Sequence, residues 1–124
     1  MAGTVVASYL NDGTTSGSTT DMVKGSARAW VNFNGTGTVA IRASYNVSSI
    51  TDSGTGDYTV NFTTAMVDIN YSTLATGTNT GSSYGAYIIG NELARQRTVN
   101  SWSIASLAYN AGQDASFISV AILR

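Results

Sequence analysis

The stretch Val31–Arg42, VNFNGTGTVAIR, sets two glycines between alternating apolar residues, and the role of those glycines decides the fold. The same three letters return at Gly54–Gly56, inside TDSGTGDYTVNF, so one physical explanation should cover both places. A dinucleotide-binding loop needs a helix that begins at the glycines, because the helix N-terminus receives the phosphate. Here TVAIR follows and alternates like a strand, and the only lysine, Lys24, precedes both glycine pairs, which excludes a Walker motif. Both pairs are therefore predicted to be hairpin turns.

The two turns carry residues that tolerate a positive φ, which the right-handed twist of paired strands requires. Asp52 and Asp57 also flank the second turn closely enough to suggest a calcium loop or a glycosidase pair. An aspartate at a turn more commonly accepts hydrogen bonds from nearby backbone amides, and this is the preferred interpretation. We predict no catalytic, cofactor-binding or metal-binding residue. The residues expected in the turns are Asn34, Gly35, Gly37, Asp52, Gly54 and Gly56.

From residue 28 onward, apolar and polar residues alternate with the period of half-buried strands. The final segment, 116–124, is apolar on both faces and is expected at the centre of a sheet. Only 91–97, NELARQR, has helix-forming composition, enough for one turn of helix. Further strands are expected at 70–75, 84–89, 98–104 and 106–109. Residues expected to share a face are Ala29, Val31 and Phe33, then Val39 and Ile41, then Tyr58, Val60 and Phe62.

Seven or eight short strands separated by turn signals predict an all-β fold, an antiparallel β-sandwich or jelly-roll-like single domain over 28–124. Residues 1–27 are predicted to be an extended N-terminal arm with a flexible linker, because 11–21 is almost entirely small and polar. The alternative is that the apolar segment Gly3–Leu10, GTVVASYL, is the first strand of the body. The sequence leaves both possibilities open.

Composition excludes several classes of function. Only 10% of residues are charged and the net charge is -1, so no basic groove for nucleic acid is expected. The chain has no Cys and no His, which excludes Ser-His-Asp, Cys-His and zinc-hydrolase chemistry. No apolar run approaches the roughly 18 residues of a membrane span, and no secretion signal is visible, so membrane insertion is not expected. We predict that the protein is not an enzyme and holds no cofactor.

Apolar and aromatic side chains outside the expected core are candidates for contact with other subunits. Trp102 has polar neighbours and is expected at the surface, whereas Trp30, between two apolar residues, is expected in the core. The expected contact residues are Val5, Val6, Tyr9, Leu10, Tyr84, Tyr87 and Trp102.

The segment Ala29–Tyr71 carries AWVNFNGTGTVAIR and ITDSGTGDYTVNF, and in these runs it resembles a module of tailed-phage virion proteins, including those of cyanophages and marine phages. Such modules occur in tail-fibre-type and small virion surface proteins. The resemblance covers 43 of the 124 residues and carries no catalytic residue to this chain. It implies a structural or adhesive β domain, usually in a homotrimer. About 27 residues precede the module, so we expect a knob with an arm and no long shaft.

The resemblance and the composition together predict a virion structural protein on the outer surface of a phage particle. The expected role is a trimeric capsid decoration, or cement, protein that contacts the major capsid protein. The alternative is the receptor-binding head of a short tail fibre, which would contact other tail proteins and host surface glycans through exposed aromatics. A small carbohydrate-active enzyme is a third and weaker possibility.

Overall fold

The structure is a computed structural model that describes residues 3–78, 87–90, 95–108 and 111–124. It confirms the predicted all-β class, because two antiparallel sheets pack face to face and the described residues hold one short helix. The elements in chain order are β1 (Tyr9–Asn11), β2 (Ser16–Ser18), α1 (Thr19–Gly25), β3 (Ala27–Asn34), β4 (Ala40–Tyr45), β5 (Val47–Gly54), β6 (Asp57–Phe62), β7 (Ser72–Thr78), β8 (Tyr87–Gly90), β9 (Ser101–Ala108), β10 (Ala111–Gly112) and β11 (Phe117–Leu123).

The four-stranded sheet has the order β4-β3-β11-β7, and all of its pairings are antiparallel. The five-stranded sheet has the order β10-β9-β6-β5, with β8 also paired to β9. The segment 116–124 was predicted to be central, and β11 does lie between β3 and β7. We call these two sheets, with their connections, the body.

The core lies between the two sheets and follows from alternation on each strand. On β3 and β6 the inward side chains are the ones predicted from the sequence, and the rings of Phe33 and Tyr58 meet edge to face at 5.4 Å. Beside them, the rings of Phe62 and Tyr71 meet in the same geometry at 5.8 Å. The buried apolar residues are Ala29, Val31, Phe33, Tyr58, Val60, Phe62, Met66, Tyr71, Trp102, Ile104, Ala115, Ile118, Val120 and Ile122.

Three sequence expectations about the body need correction. Val39 packs partly against the core as expected, but Ile41 is 38% exposed, because β4 is an edge strand and the β3–β4 register shifts at Asn32. The two strands expected at 98–104 and 106–109 form the single strand β9. The helical turn expected at 91–97 falls mostly outside the described residues, and 95–97 is not helical.

The N-terminal unit, residues 3–25, is separate from both sheets of the body. Its strands β1 and β2 pair with each other, so Gly3–Leu10 is not the first strand of the sandwich. Residues 11–21, expected to be a flexible linker, include secondary structure. Those residues form the β1–β2 turn, strand β2 and the first turn of α1. Asp21 in the first turn and Lys24 in the last turn suit the helix dipole.

Candidate assembly surface

Apolar side chains of the N-terminal unit are exposed to solvent. Val5 is 86% exposed and Val6 is 93% exposed, and α1 contains no buried residue. These positions include four of the predicted contact residues. An isolated two-stranded hairpin and a helix of two turns are each marginal in water, so this unit has little internal stabilisation. The exposed large apolar residues of the unit are Val5, Val6, Tyr9, Leu10, Met22 and Val23.

The turn between β1 and β2 is held by local hydrogen bonds. Asn11 Oδ1 accepts from the Gly13 amide at 2.6 Å, and Asp12 Oδ1 accepts from the amides of Thr15 at 2.8 Å and Thr14 at 2.9 Å. These two amides, Thr15 first, hold the pKa of the Asp12 carboxyl below its usual value. The sequence NDGTTS is therefore a structured hairpin turn, which its Asn-Asp-Gly start could have indicated.

A row of largely apolar side chains crosses the outer face of the four-stranded sheet. The registers place Trp30 of β3 opposite Tyr45 of β4 and opposite Ala121 of β11, which in turn lies opposite Leu74 of β7. Trp30 is 41% exposed, Tyr45 59% and Leu74 55%, and Ala121 is half-buried. We call these four residues the outer row. The row is continuous across all four strands.

Arg28 borders the outer row, whereas Arg42 lies farther along the same sheet face, beside Phe117. Arg28 lies on the same face of β3 as Trp30 and donates from Nε to the main-chain oxygen of Arg124 at 2.9 Å. Arg42 donates to the carbonyl oxygen of Ser116 at 2.7 Å, and its guanidinium lies 4.0 Å from the centre of the Phe117 ring. Arg28 therefore places one guanidinium beside the row.

Both predicted glycine turns are confirmed as hairpins, and neither begins a helix. Gly35 and Gly37 connect β3 to β4, while Gly54 and Gly56 connect β5 to β6. Asn34 closes the first turn, since its Nδ2 donates to the carbonyl oxygen of Thr36 at 2.6 Å.

The two turns meet at one buried polar junction, which the sequence did not indicate. The Tyr58 hydroxyl lies 2.7 Å from Asp114 Oδ1 and 2.9 Å from the carbonyl oxygen of Gly35. Asp114 Oδ1 also accepts from the Gly56 amide at 2.8 Å. The Gly35 amide donates to the carbonyl oxygen of Ala115 at 2.9 Å. The loop at 113–116 therefore holds both hairpins in place.

Close packing explains why the junction requires glycine. A Cβ on Gly35 would lie 2.6 Å from the Tyr58 hydroxyl. A Cβ on Gly56, whose φ is +70°, would collide with the carbonyl oxygen of Ser106 and lie 2.6 Å from the Gln113 nitrogen. Burial first, and then the hydrogen bond to Asp114, raise the pKa of Tyr58 far above its usual value. The absence of a side chain at these two glycines lets the neighbouring segments pack closely against them.

The two aspartates near the second turn have separate partners. Asp52 Oδ1 accepts from the Gly54 amide at 3.0 Å, which is the predicted turn role. Asp57 pairs with Arg95, with oxygen–nitrogen distances of 2.7 and 3.0 Å. This pairing raises the pKa of Arg95. In the part of the chain that the structure describes, no three His, Cys, Asp or Glu side chains are grouped as they would be around a metal ion.

The expectations for the two tryptophans are both wrong. Trp102 is 3% exposed and lies in the core opposite Val60, whereas Trp30 belongs to the exposed outer row. The period-2 rule already places Trp30 on the opposite face from its neighbours Ala29 and Val31, and this was the signal that could have identified it. Tyr84 and the Tyr87 side chain lie outside the described residues.

No helix in the described ranges is long and apolar enough to cross a membrane. No family model, curated protein or solved structure matches this chain.

Proposed function

We propose that the chain is a non-enzymatic structural protein of a tailed-bacteriophage virion, which forms a homotrimer on the outer surface of the capsid and reinforces it. In this role it would contact the major capsid protein. The observation that carries the proposal is the contrast between a closed, well-packed body and an N-terminal unit whose apolar side chains, such as Val5 and Val6, face solvent. Such side chains are typical of surfaces that become buried on assembly.

Two further features support this role. The segment Ala29–Tyr71 resembles modules of phage virion proteins, and it contributes both glycine turns and the Trp30–Tyr45 half of the outer row. The charge of -1 spread over 124 residues also suits broad contacts with many shell subunits, where weak interactions add through multivalency.

The test is the copy number of the chain on purified virions. We expect hundreds of copies per particle, located on the head. Adding the purified chain to particles that lack it should raise the temperature at which heads release DNA, with untreated particles as the control. A copy number of a few dozen or fewer, or location on the tail, would contradict the cement role.

One observation counts against the receptor-binding alternative and another favours it. Trp102 is buried and cannot present its ring to a glycan, but Trp30 and Tyr45 lie side by side on an exposed sheet face. Such aromatic pairs suit stacking on sugar rings. On this alternative the purified chain blocks phage adsorption to host cells. Trp30→Ala would abolish that block, while Phe117→Ala, another exposed aromatic of the same face, would retain it.

A further inference from the structure

We propose that the N-terminal unit of each subunit docks on the outer row of the next subunit, closing a head-to-tail ring of three. This inference rests on the homotrimer of the proposed function and names the two surfaces that form it. The two surfaces differ from each other, so the contact is heterologous, and heterologous contacts close into rings when the rotation between subunits allows it.

The N-terminal unit offers a concave apolar surface. An open groove of about 540 Å³ runs between residues 5–10 and α1, and Val5, Val6, Leu10 and Val23 contribute to its walls. A groove of this volume can accept a large aromatic side chain. Nothing within the unit fills it, because α1 buries none of its own residues. The unit therefore gains an apolar core only when another surface enters the groove.

The outer row offers the complementary surface. It lies on a sheet face and presents Trp30, Tyr45 and Leu74, each between 41% and 59% exposed. Aromatic side chains with one partly buried edge are the usual anchors of protein interfaces. An aromatic row that enters an apolar groove would remove both from water at once.

The chain path points to a neighbouring copy and not to the same subunit. Helix α1 ends at Gly25 and β3 begins at Ala27, so Ser26 alone connects the N-terminal unit to the sheet. Ser26 has φ -79° and ψ 144°, an extended conformation without reversal of direction. In the structure the N-terminal unit does not cover the outer row of its own body, since Trp30, Tyr45 and Leu74 are all exposed. The row is therefore open to the unit of a neighbouring copy.

Charge is complementary between the two surfaces. The N-terminal unit carries Asp12, Asp21 and Lys24, a net charge of -1 from its side chains. Arg28 borders the outer row, and in its described hydrogen bond only Nε donates, so its terminal nitrogens can donate to a carboxylate of the N-terminal unit. Opposite charges at the rim of an interface set its orientation and speed association.

The area is suited to a ring. If one large side chain contributes about 150–250 Å² when fully buried, the exposed parts of both surfaces together amount to roughly 1,000 Å². That is close to the lower bound of specific interfaces, about 1,200 Å². A single contact of this size is weak. In a closed ring each subunit makes the contact twice, and closure adds stability through effective concentration.

The experiment measures oligomeric mass by light scattering after size exclusion, from low to high micromolar concentration. We expect the wild type to reach three times the 12.9 kDa of one chain. Val6→Asp in the groove and Leu74→Asp in the outer row should each raise the apparent dissociation constant at least tenfold. Ile69→Asp is the matched control, because Ile69 is 52% exposed and outside both surfaces. It should leave the trimer unchanged.

A mixture of the two variants provides the sharper test. The Val6→Asp subunit keeps an intact outer row and the Leu74→Asp subunit keeps an intact groove, so one productive contact remains between them. We expect a heterodimer from the mixture and monomers from each variant alone. A contact of groove with groove, or of outer row with outer row, would give no such rescue. Unchanged urea midpoints for both variants would establish that the bodies are folded.

Three results would overturn the inference: a Val6→Asp trimer as stable as that of the wild type, a wild type that is monomeric at high micromolar concentration, or a mixture that associates no more than either variant alone at the highest concentration reached. A monomer whose Trp30 fluorescence changes on deletion of residues 1–25 would mean that the unit covers its own sheet. These outcomes are independent of the copy number on virions, so the ring can fail while the capsid role stands, and the reverse.

Discussion

The body and the N-terminal unit use the same apolar residue types with opposite results. Val31 in the body is 1% exposed, whereas Val5 in the N-terminal unit is 86% exposed. The difference is architectural. Each of two packed sheets buries one face against the other, whereas a hairpin of two three-residue strands and a short helix enclose no apolar core. The body should therefore fold by itself, and the N-terminal unit should depend on association.

Hydrogen bonding differs between the two regions in the same way. In the body, the contact between Tyr58 and Asp114 joins residues 56 apart in the sequence, and the contact between Tyr58 and the Gly35 carbonyl joins residues 23 apart. In the N-terminal unit, the bonds of Asn11 and Asp12 span two to five residues, and the longest side-chain bond, from Thr19 to the Ala7 carbonyl, spans twelve. Long-range bonds make unfolding cooperative, whereas local bonds can open on their own.

Core truncation gives the largest expected effect. Phe33 is fully buried against the Tyr58 ring, so Phe33→Ala should lower the free energy of unfolding by about 3–5 kcal/mol. Phe117 is 43% exposed and contacts Arg42, so Phe117→Ala should cost about 1 kcal/mol or less. Urea unfolding followed by tryptophan fluorescence measures both. Equal losses would mean that the two-sheet core does not dominate stability.

The glycine junction gives the next largest effect. Gly56→Ala places a Cβ against backbone atoms of Ser106 and Gln113 at a positive φ, so we expect a loss of roughly 2–4 kcal/mol. Gly37 also has a positive φ but faces open space, so Gly37→Ala should cost only about 1 kcal/mol. Chemical denaturation of both variants measures the difference. Similar losses would show that φ alone, and not the junction, requires glycine.

Alkaline pH should act on the body through Tyr58. The unfolded chain releases the Tyr58 proton near the usual pKa of 10.0, whereas the folded body retains it because the pKa is raised. Above pH 10 the unfolded state therefore binds fewer protons, and stability falls by up to about 1.4 kcal/mol per pH unit. Below pH 10 both states keep the proton and this contribution is constant.

The variant Tyr58→Phe separates this effect from other titrations. It should cost about 1–2 kcal/mol at neutral pH, because the hydrogen bond to the junction is lost. The variant should also lack the Tyr58 contribution of about one proton to the difference in protons bound by the folded and unfolded states. Its stability should therefore fall less steeply than that of the wild type between pH 10 and 11. Urea midpoints at several pH values measure both quantities. An unchanged slope in Tyr58→Phe would mean that this hydroxyl does not control the alkaline limit.

The sequence predicted what short-range patterns determine. Period-2 alternation identified the inward faces of β3 and β6, and Asn-Gly and Ser-Gly-Thr-Gly identified the hairpin turns. It also identified Val5, Val6, Tyr9 and Leu10 as apolar residues outside the core, and the structure places them in solvent.

What the sequence could not predict depends on long-range pairing. Trp102 is buried because β9 pairs with β6 and sets it opposite Val60, although its own neighbours are serines. The outer row exists only through three registers that join Tyr45, Trp30, Ala121 and Leu74 across the sheet. The junction of Tyr58 with Asp114 likewise needs the fold before the two residues meet. No short stretch of the sequence contains both partners of any of these contacts.

The smallest expected effect lies in the N-terminal unit. Leu10 is 52% exposed, so in dilute solution Leu10→Ala should change the free energy of unfolding by less than about 0.5 kcal/mol. At higher concentration the wild type should gain stability from association while Leu10→Ala gains less, because a partner that binds only the folded state stabilises it by mass action. Unfolding curves at two protein concentrations measure this. A loss of about 2 kcal/mol in dilute solution would contradict the contrast between the two regions, since it would require Leu10 to be packed within a single subunit.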